Sequence, residues 1–106
     1  MGGYSKMKEK DIEQKLRKAV KELGGIAYKF ISPGNMGVPD RMVCLPGGVL
    51  IFVELKTETG ALTPVQKAQI GYLKNLGQDV RVLYGLADVE RFIAELRGEH
   101  ETVRQG

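Results

Sequence analysis

An α/β fold with a mixed four-stranded sheet flanked by helices is the architecture that this sequence predicts. Residues 41–45 and 49–56 are rich in apolar and β-branched residues and are separated by the short turn Pro46-Gly47-Gly48, so they predict an antiparallel hairpin. After it come a helical pattern and a fourth strand, residues 80–84. A strand–helix–strand unit on one sheet makes that strand parallel to the third. The predicted element order is α-β-β-β-α-β-α.

An amphipathic helix is predicted over residues 8–23, because apolar residues recur at helical spacing and Gly24-Gly25 follows them. Lys10, Arg17 and Lys21 lie opposite the apolar stripe. We interpret these three cations as a solvated face, with contact to phosphate groups as the alternative.

Two acidic residues of this helix lie beside its apolar stripe. Glu13 falls on the border of the stripe, where its carboxylate can swing over the edge of the sheet. Glu9 lies near the same border but in the first turn, where the helix dipole is sufficient to explain it.

The remaining elements have clear boundary signals. A first strand is predicted over residues 26–31, and residues 32–37 form a loop that either approaches a substrate with its backbone or simply connects two strands. Thr63, Pro64 and Gln66 predict the start of a helix with a capping box, which ends near Leu76. Asp88 is predicted to cap a last helix over residues 89–96.

Length and composition indicate one small globular domain, which we place at residues 8–96, with a disordered segment at 1–7 and a charged tail at 97–106. A single cysteine and a single histidine exclude an internal disulfide and argue against a Cys/His zinc site. Apolar runs are far shorter than the roughly 20 residues that span a membrane. Because the chain has one cysteine and so no internal disulfide, we predict an intracellular protein. The net charge of +3 permits an anionic partner.

Asp40, Glu54 and Lys56 are predicted to meet at one edge of the sheet. Side chains alternate along a strand, so Glu54 and Lys56 share a face while Leu55 points the other way, and the hairpin returns Asp40 to the same end. Carboxylates converging in this way bind Mg²⁺ or Mn²⁺, which polarises a phosphodiester and activates water. Lys56 is then a candidate general base, although electrostatic positioning explains it equally well. The alternative is a surface ion pair without function.

The spacing of Asp40, thirteen residues, then Glu54-Leu55-Lys56 resembles the PD-(D/E)xK nuclease motif. The ordered set of Gly34-Asn35-Met36-Gly37-Val38-Pro39-Asp40, Val53-Glu54-Leu55-Lys56 and Leu62-Thr63-Pro64-Val65-Gln66 resembles the virus-type replication-repair nuclease (VRR-NUC) branch. This resemblance covers residues 8–96 and implies a restriction-endonuclease-like αβββαβ core.

The resemblance also implies roles for individual residues. Asp40, Glu54 and the main-chain carbonyl of Leu55 would hold Mg²⁺ or Mn²⁺, with Glu13 as an additional acidic ligand. Lys56 would be the catalytic lysine, and Gln66 resembles a glutamine near the site. Glu9 remains an alternative to Glu13. The residues expected to contact DNA are those of the flexible loop together with one arginine, namely Ser32, Gly34, Asn35, Met36, Gly37 and Arg41.

The activity implied is metal-dependent, structure-specific cleavage of branched DNA such as Holliday junctions in phage replication and repair, by a homodimer without a small-molecule cofactor. DNA shape and phosphates would be recognised rather than bases. Three alternatives remain: a non-specific or restriction-like nicking nuclease, a catalytically silent DNA-binding module of the same fold, and a small structural protein.

Overall fold

The structure is a computed structural model that describes the backbone of residues 8–105 and the side chains of residues 8–98. It contains the predicted α/β architecture, with four strands and three helices in that range. In chain order the elements are α1 (Glu9–Glu22), β1 (Ile26–Lys29), β2 (Arg41–Leu45), β3 (Val49–Lys56), α2 (Pro64–Asn75), β4 (Val80–Tyr84) and α3 (Gly85–Gln105). No helix within this described part of the chain is long and apolar enough to cross a membrane.

The four strands form one mixed sheet in the order β1-β2-β3-β4. β1, β2 and β3 are antiparallel neighbours, whereas β4 runs parallel to β3, as the strand–helix–strand succession predicts. The last pair between β2 and β3 is Arg41 with Val53. β3 continues to Lys56 against β4 alone. Residues 54–56 of β3 therefore have no β2 partner beside them, and Asp40, which precedes β2, lies next to this unpaired margin.

The main core lies between one face of this sheet and helices α1 and α3. Alternate residues of β3 point into it, with Val53 and Leu55 almost fully buried against Leu16, Val20 and Val89. Because α1 presents its apolar stripe to this face, its polar side is turned away from the core. Burial of this one face fixes the register of the hairpin and with it the position of Glu54.

The opposite face of the sheet is covered only in part, because α2 contacts the sheet at β4. On the β1 side, Ile26 and Tyr28 remain 52% and 55% exposed, and Leu50 of β3 is 38% exposed. The register aligns Ile26 with Cys44 and Cys44 with Leu50, so these residues form a row across three strands. The fold therefore leaves an apolar area on this face.

Two element boundaries differ from the predicted ones. β1 ends at Lys29 rather than at residue 31, although the Phe30 N–H still donates to the Asp40 carbonyl at 2.8 Å. α3 begins at Gly85, directly after β4, and its backbone continues to Gln105. Asp88 lies within its first turn rather than at its N-cap, so both the predicted cap position and the predicted start at residue 89 are wrong. Its carboxylate instead accepts a hydrogen bond from the N–H of Tyr84, which precedes the helix, at 2.8 Å.

The helical backbone of α3 crosses the predicted boundary between the domain and the charged tail at residue 97. The predicted disordered segment, residues 1–7, lies outside the described residues. The division of the chain into these three parts therefore stays a prediction.

Candidate active site

The candidate site is centred on Asp40, which directly precedes β2 and lies beside the part of β3 that β2 does not cover. Its Oδ1 atom accepts a hydrogen bond from the Leu55 main-chain N–H at 3.3 Å. Antiparallel pairing in the hairpin aligns the next residue, Arg41, with Val53, and so carries Asp40 to the end of β3 that holds Glu54. Pro39, fully buried, fixes the chain just before the carboxylate.

Glu54 and Lys56 lie beside each other on the β3 face that carries α2, as their two-residue separation predicts. The Lys56 ammonium is 3.8 Å from Oε2 of Glu54. The Gln66 side-chain amide donates to the same oxygen at 3.2 Å. Glu54 is only 4% exposed, so its carboxylate is surrounded by protein on nearly every side.

Gln66 also completes the predicted capping box of α2. Its Oε1 accepts from the Thr63 N–H at 2.9 Å, while the Gln66 N–H donates to the Thr63 hydroxyl at 3.1 Å. The two ends of one side chain therefore serve two purposes: the oxygen caps the helix, and the nitrogen binds Glu54. Sequence patterns predict the first of these contacts, whereas the second depends on how α2 packs beside β3.

Burial makes both carboxylates unusually weak acids. It raises the pKa of Asp40 from 3.8 to about 6, against the lowering effect of the Leu55 N–H. It raises the pKa of Glu54 from 4.5 to about 7, with the nearby Asp40 charge raising it further and Lys56 lowering it. Two carboxylates that oppose each other's ionisation, one buried and one half-buried, are stabilised in their charged forms by a cation between or beside them.

Glu13 forms an ion pair with Arg41, one of the residues that the family resemblance places in contact with DNA. Arg41 is 8% exposed and its Nη2 atom lies 2.9 Å from Oε1 of Glu13, while Nη1 donates to the Ala27 carbonyl at 3.3 Å. The negative charges of Glu13 and Glu9 both raise the pKa of Asp40, and that of Glu9 also raises the pKa of Glu54. The two helix residues are thus within electrostatic reach of the site.

The pairing of Glu13 with Arg41 was not found by sequence reasoning. The partners are 28 residues apart and come from a helix and a strand that meet only through tertiary packing. No periodicity or motif signals such a pair.

The loop of residues 32–37, predicted to contact DNA, has one tightly packed end. Gly37 has φ of +87°, and a Cβ atom there would lie 2.6 Å from Cγ1 of Val65 at the start of α2. In the rest of the loop, Met36 is 79% exposed, Gly34 has no atom near its Cβ position, and the Asn35 amide donates to the Ser32 hydroxyl at 2.9 Å. At Gly37, packing of the connection thus explains the residue type.

The donor set at the site suits a hard divalent cation. Asp40 is half-buried, and its Oδ2 atom accepts no hydrogen bond from any residue in the described range 8–98. The Glu54 carboxylate accepts from the Gln66 amide, and the Asp40 main-chain N–H lowers its pKa by hydrogen bonding. Every buried side-chain polar atom in that range has a partner, so Asp40 Oδ2 is not fully buried. Oxygen ligands of this kind, with carboxylates whose ionisation needs a counter-charge, fit Mg²⁺ or Mn²⁺.

The predicted cluster of three carboxylates is not assembled in the structure. Within the part of the chain whose side chains are described, no group of three or more His, Cys, Asp or Glu side chains is placed to hold a metal ion. Asp40 and Glu54 form a pair, and Glu13 is engaged by Arg41.

The mixed sheet and the D…ExK residues at its margin define the class of PD-(D/E)xK nuclease folds. No family model matches the chain. The phage protein named "Putative nuclease p44", from Acyrthosiphon pisum secondary endosymbiont phage 1, is 49% identical over 77 residues, which are 73% of this chain and 83% of that protein. A solved structure described as "VRR_NUC domain" has a TM-score of 0.76 and 30% identity, covering 81% of this chain and 94% of the other.

A second solved structure, a "VRR_NUC domain protein", has a TM-score of 0.67 at 17% identity and covers 86% of this chain and 88% of the other, a likeness in fold alone. The chain belongs to the VRR-NUC family. The expected family resemblance and fold class are thereby confirmed, and the chain is a nuclease of the VRR-NUC type.

Proposed function

We propose that this protein is a Mg²⁺- or Mn²⁺-dependent DNA endonuclease that hydrolyses phosphodiester bonds. The observation that carries this proposal is the pair of carboxylates formed by half-buried Asp40 and buried Glu54, whose pKa values are raised to about 6 and about 7 and beside which Lys56 lies. Without a bound cation, the negative charges of such a pair lower the stability of the folded protein. A binding site tolerates this cost because the bound cation offsets it.

Asp40, Glu54 and the Leu55 carbonyl would hold the cation, with Glu13 or Glu9 supplying a third carboxylate. The cation would supply Lewis-acid polarisation of the phosphate and activation of water. Lys56, 3.8 Å from Glu54, is placed to donate to a phosphate oxygen and to offset negative charge that develops during hydrolysis. Gln66 orients the Glu54 carboxylate through its 3.2 Å hydrogen bond.

The proposed substrate is branched DNA such as a Holliday junction, with recognition through shape and phosphates. The name of the phage relative supports nuclease activity but not this preference. The deciding experiment incubates the protein with four-way junction, flap, nicked and linear DNA, with and without Mg²⁺ or Mn²⁺. Metal-dependent cutting of the junction above matched linear duplex supports the proposal, whereas equal cutting of both favours a non-specific or nicking nuclease.

A catalytically silent DNA-binding module is the competing function. The coupled carboxylates of Asp40 and Glu54, with Lys56 3.8 Å from Glu54, favour the enzyme. Asp40→Ala should abolish metal-dependent cleavage while leaving DNA affinity in EDTA unchanged. Absence of cleavage by the wild-type protein on every DNA tested would instead support the binding module.

We also propose that the active form is a homodimer, because a two-fold dimer presents two sites to the symmetric strands of a junction. The half-exposed apolar face formed by Ile26, Tyr28 and Leu50 supports self-association and is a better candidate interface than the polar face of α1. Light scattering should give twice the mass of the chain, and Tyr28→Lys should convert it to monomer. A monomeric wild-type protein would contradict this proposal.

A further inference from the structure

A groove runs between α1 and the edge strand β1, with a volume of about 1070 Å³. β1 has a sheet neighbour on one side only, so its other margin faces the groove with main-chain groups that pair with no strand. The groove is lined by six basic side chains, Lys10, Arg17, Lys18, Lys21, Lys29 and Arg41.

The basic residues of the groove outnumber its acidic lining by six to one. Among residues 8–98, no ion-pair partner occurs for the five exposed cations of the groove, Lys10, Arg17, Lys18, Lys21 and Lys29. The one acidic residue that lines the groove, Glu13, is already neutralised by the sixth cation, Arg41. Positive potential is therefore concentrated in a concave surface with low-dielectric walls, which focuses it on an anionic ligand.

The groove begins beside the proposed active site. Arg41 directly follows Asp40 in the chain, and Glu13 raises the pKa of Asp40 through its charge. Lys10, Gln14, Arg17 and Lys21 recur at helical spacing, so they form a straight stripe along α1. At a rise of about 1.5 Å per residue this stripe is roughly 16 Å long. One strand of B-DNA presents about five phosphates over that distance.

We propose that this groove binds the sugar-phosphate backbone of the DNA strand that flanks the scissile phosphate, independently of sequence. The inference rests on the proposed nuclease function and adds to it the path of the substrate. Under this proposal Lys10, Arg17 and Lys21 contact phosphate groups, whereas the sequence alone favours a solvated helix face for them. Phosphate, rather than an acidic protein, is favoured because the α1 wall of the groove is a polar stripe without exposed apolar anchor residues, while the apolar lining, Ile26 and Tyr28, lies on the β1 wall.

The test measures binding of a fluorescein-labelled duplex of about 20 bp by anisotropy in EDTA, from about 50 to 200 mM NaCl. Arg17→Gln/Lys21→Gln removes two cations from the groove, and Lys74→Gln/Arg91→Gln removes two from exposed positions on α2 and α3. The groove variant should make the negative slope of log affinity against log salt shallower by about 1.8 and weaken binding about ten-fold. The control variant should stay near the wild-type value. Arg17→Lys/Lys21→Arg, which keeps both charges, should bind as the wild type does.

Equal weakening in the two double variants, or no weakening in the groove variant, would overturn the proposal, as would a wild-type protein that does not bind the duplex. A protective role for the cations, keeping the β1 edge from pairing with another sheet, predicts aggregation of the groove variant with unchanged affinity of the monomer. Cleavage in Mg²⁺ or Mn²⁺ is measured separately on wild-type protein. If the groove variant binds DNA more weakly but the wild-type protein does not cleave, only the nuclease function is refuted. If the wild-type protein cleaves but the groove variant binds DNA as tightly as the wild type, only the groove proposal is refuted.

Discussion

Gln66 donates from its side-chain amide to Oε2 of Glu54 at 3.2 Å, and its oxygen at the same time caps helix α2 through the Thr63 N–H at 2.9 Å. The start of a helix and the orientation of a buried carboxylate are therefore fixed by one side chain. Because both polar ends of the amide are engaged, its orientation is determined and it cannot turn without losing one contact. The capping box thus positions the site as well as starting the helix.

Substitutions at the two ends of this box should separate its two roles. Thr63→Ala removes a helix cap and should lower the free energy of unfolding by about 1 kcal/mol, with cleavage retained well below the melting temperature. Gln66→Ala should cost about the same stability but also lower cleavage about ten-fold or more, because Glu54 loses its oriented donor. Chemical denaturation and single-turnover cleavage measure the two effects. Equal cleavage by both variants would mean that Gln66 acts as a cap alone.

Replacement of Glu54 should make the metal-free protein more stable at alkaline pH. Burial holds the pKa of Glu54 at about 7, above its ordinary 4.5. Between these values the folded state keeps a proton that the unfolded chain has released, so stability falls as pH rises and the full cost is present above pH 7. Glu54→Gln lacks this cost and should exceed the wild type by about 2 kcal/mol at alkaline pH, with no gain at acidic pH.

Denaturant melts of both proteins across this pH range, in EDTA, provide the measurement. Glu22→Gln is the matched control, because Glu22 forms only an exposed pair with Arg97 and its loss should change stability by less than about 1 kcal/mol at any pH. A Glu54→Gln variant that is less stable than wild type at alkaline pH would show that the Lys56 and Gln66 contacts more than offset the burial cost.

Divalent metal should reverse the pH trend of the wild-type protein. The carboxylates must be ionised to bind Mg²⁺ or Mn²⁺, and the pKa values of about 6 for Asp40 and about 7 for Glu54 make this state costly without a cation. Mn²⁺ should therefore raise the melting temperature more above pH 7 than below pH 5, where both groups are protonated. Glu54→Gln should show little Mn²⁺ effect at either pH. A wild-type shift independent of pH would place the metal elsewhere.

The sequence predicts the sheet better than the surroundings of the site. β2, β3 and β4 have the predicted bounds because turn residues and alternating or continuous apolar residues delimit them directly. The meeting of Asp40 with Leu55 follows from hairpin register alone. Local patterns do not predict where α3 begins, since Gly85 with φ of +73° lets the helix start without a connecting loop.

Contacts between distant elements were not predictable from local patterns. The family resemblance places Arg41 among the residues that contact DNA, whereas its pairing with Glu13 depends on how α1 packs against the sheet. The basic stripe of α1 looks in sequence like any solvated helix face. Only the edge position of β1 beside it makes the stripe one wall of a groove.

Gly37 and Gly34 provide a test of the two roles left open for their loop. A Cβ at Gly37 would lie 2.6 Å from Val65 and the residue has φ of +87°, so Gly37→Ala should destabilise the protein by about 2 to 3 kcal/mol. Gly34→Ala, at φ of +82° with no atom within 4 Å, should cost only about 1 kcal/mol. Thermal melts give both values. A similar small loss in the two variants would contradict packing as the reason for Gly37.

Glu13→Gln, compared with Glu9→Gln, should decide which helix residue completes the metal site. Glu13 pairs with the buried Arg41 at 2.9 Å, so its replacement leaves that guanidinium without a counter-charge and should cost about 1 to 2 kcal/mol of stability. If it is also a metal ligand, Mn²⁺ affinity measured by calorimetry should fall about ten-fold or more. Glu9→Gln removes an exposed carboxylate and should change neither quantity. Glu9 would instead be the ligand if Glu13→Gln loses stability but keeps normal Mn²⁺ affinity, while Glu9→Gln binds Mn²⁺ more weakly. The charge of Glu9 already raises the pKa of both Asp40 and Glu54.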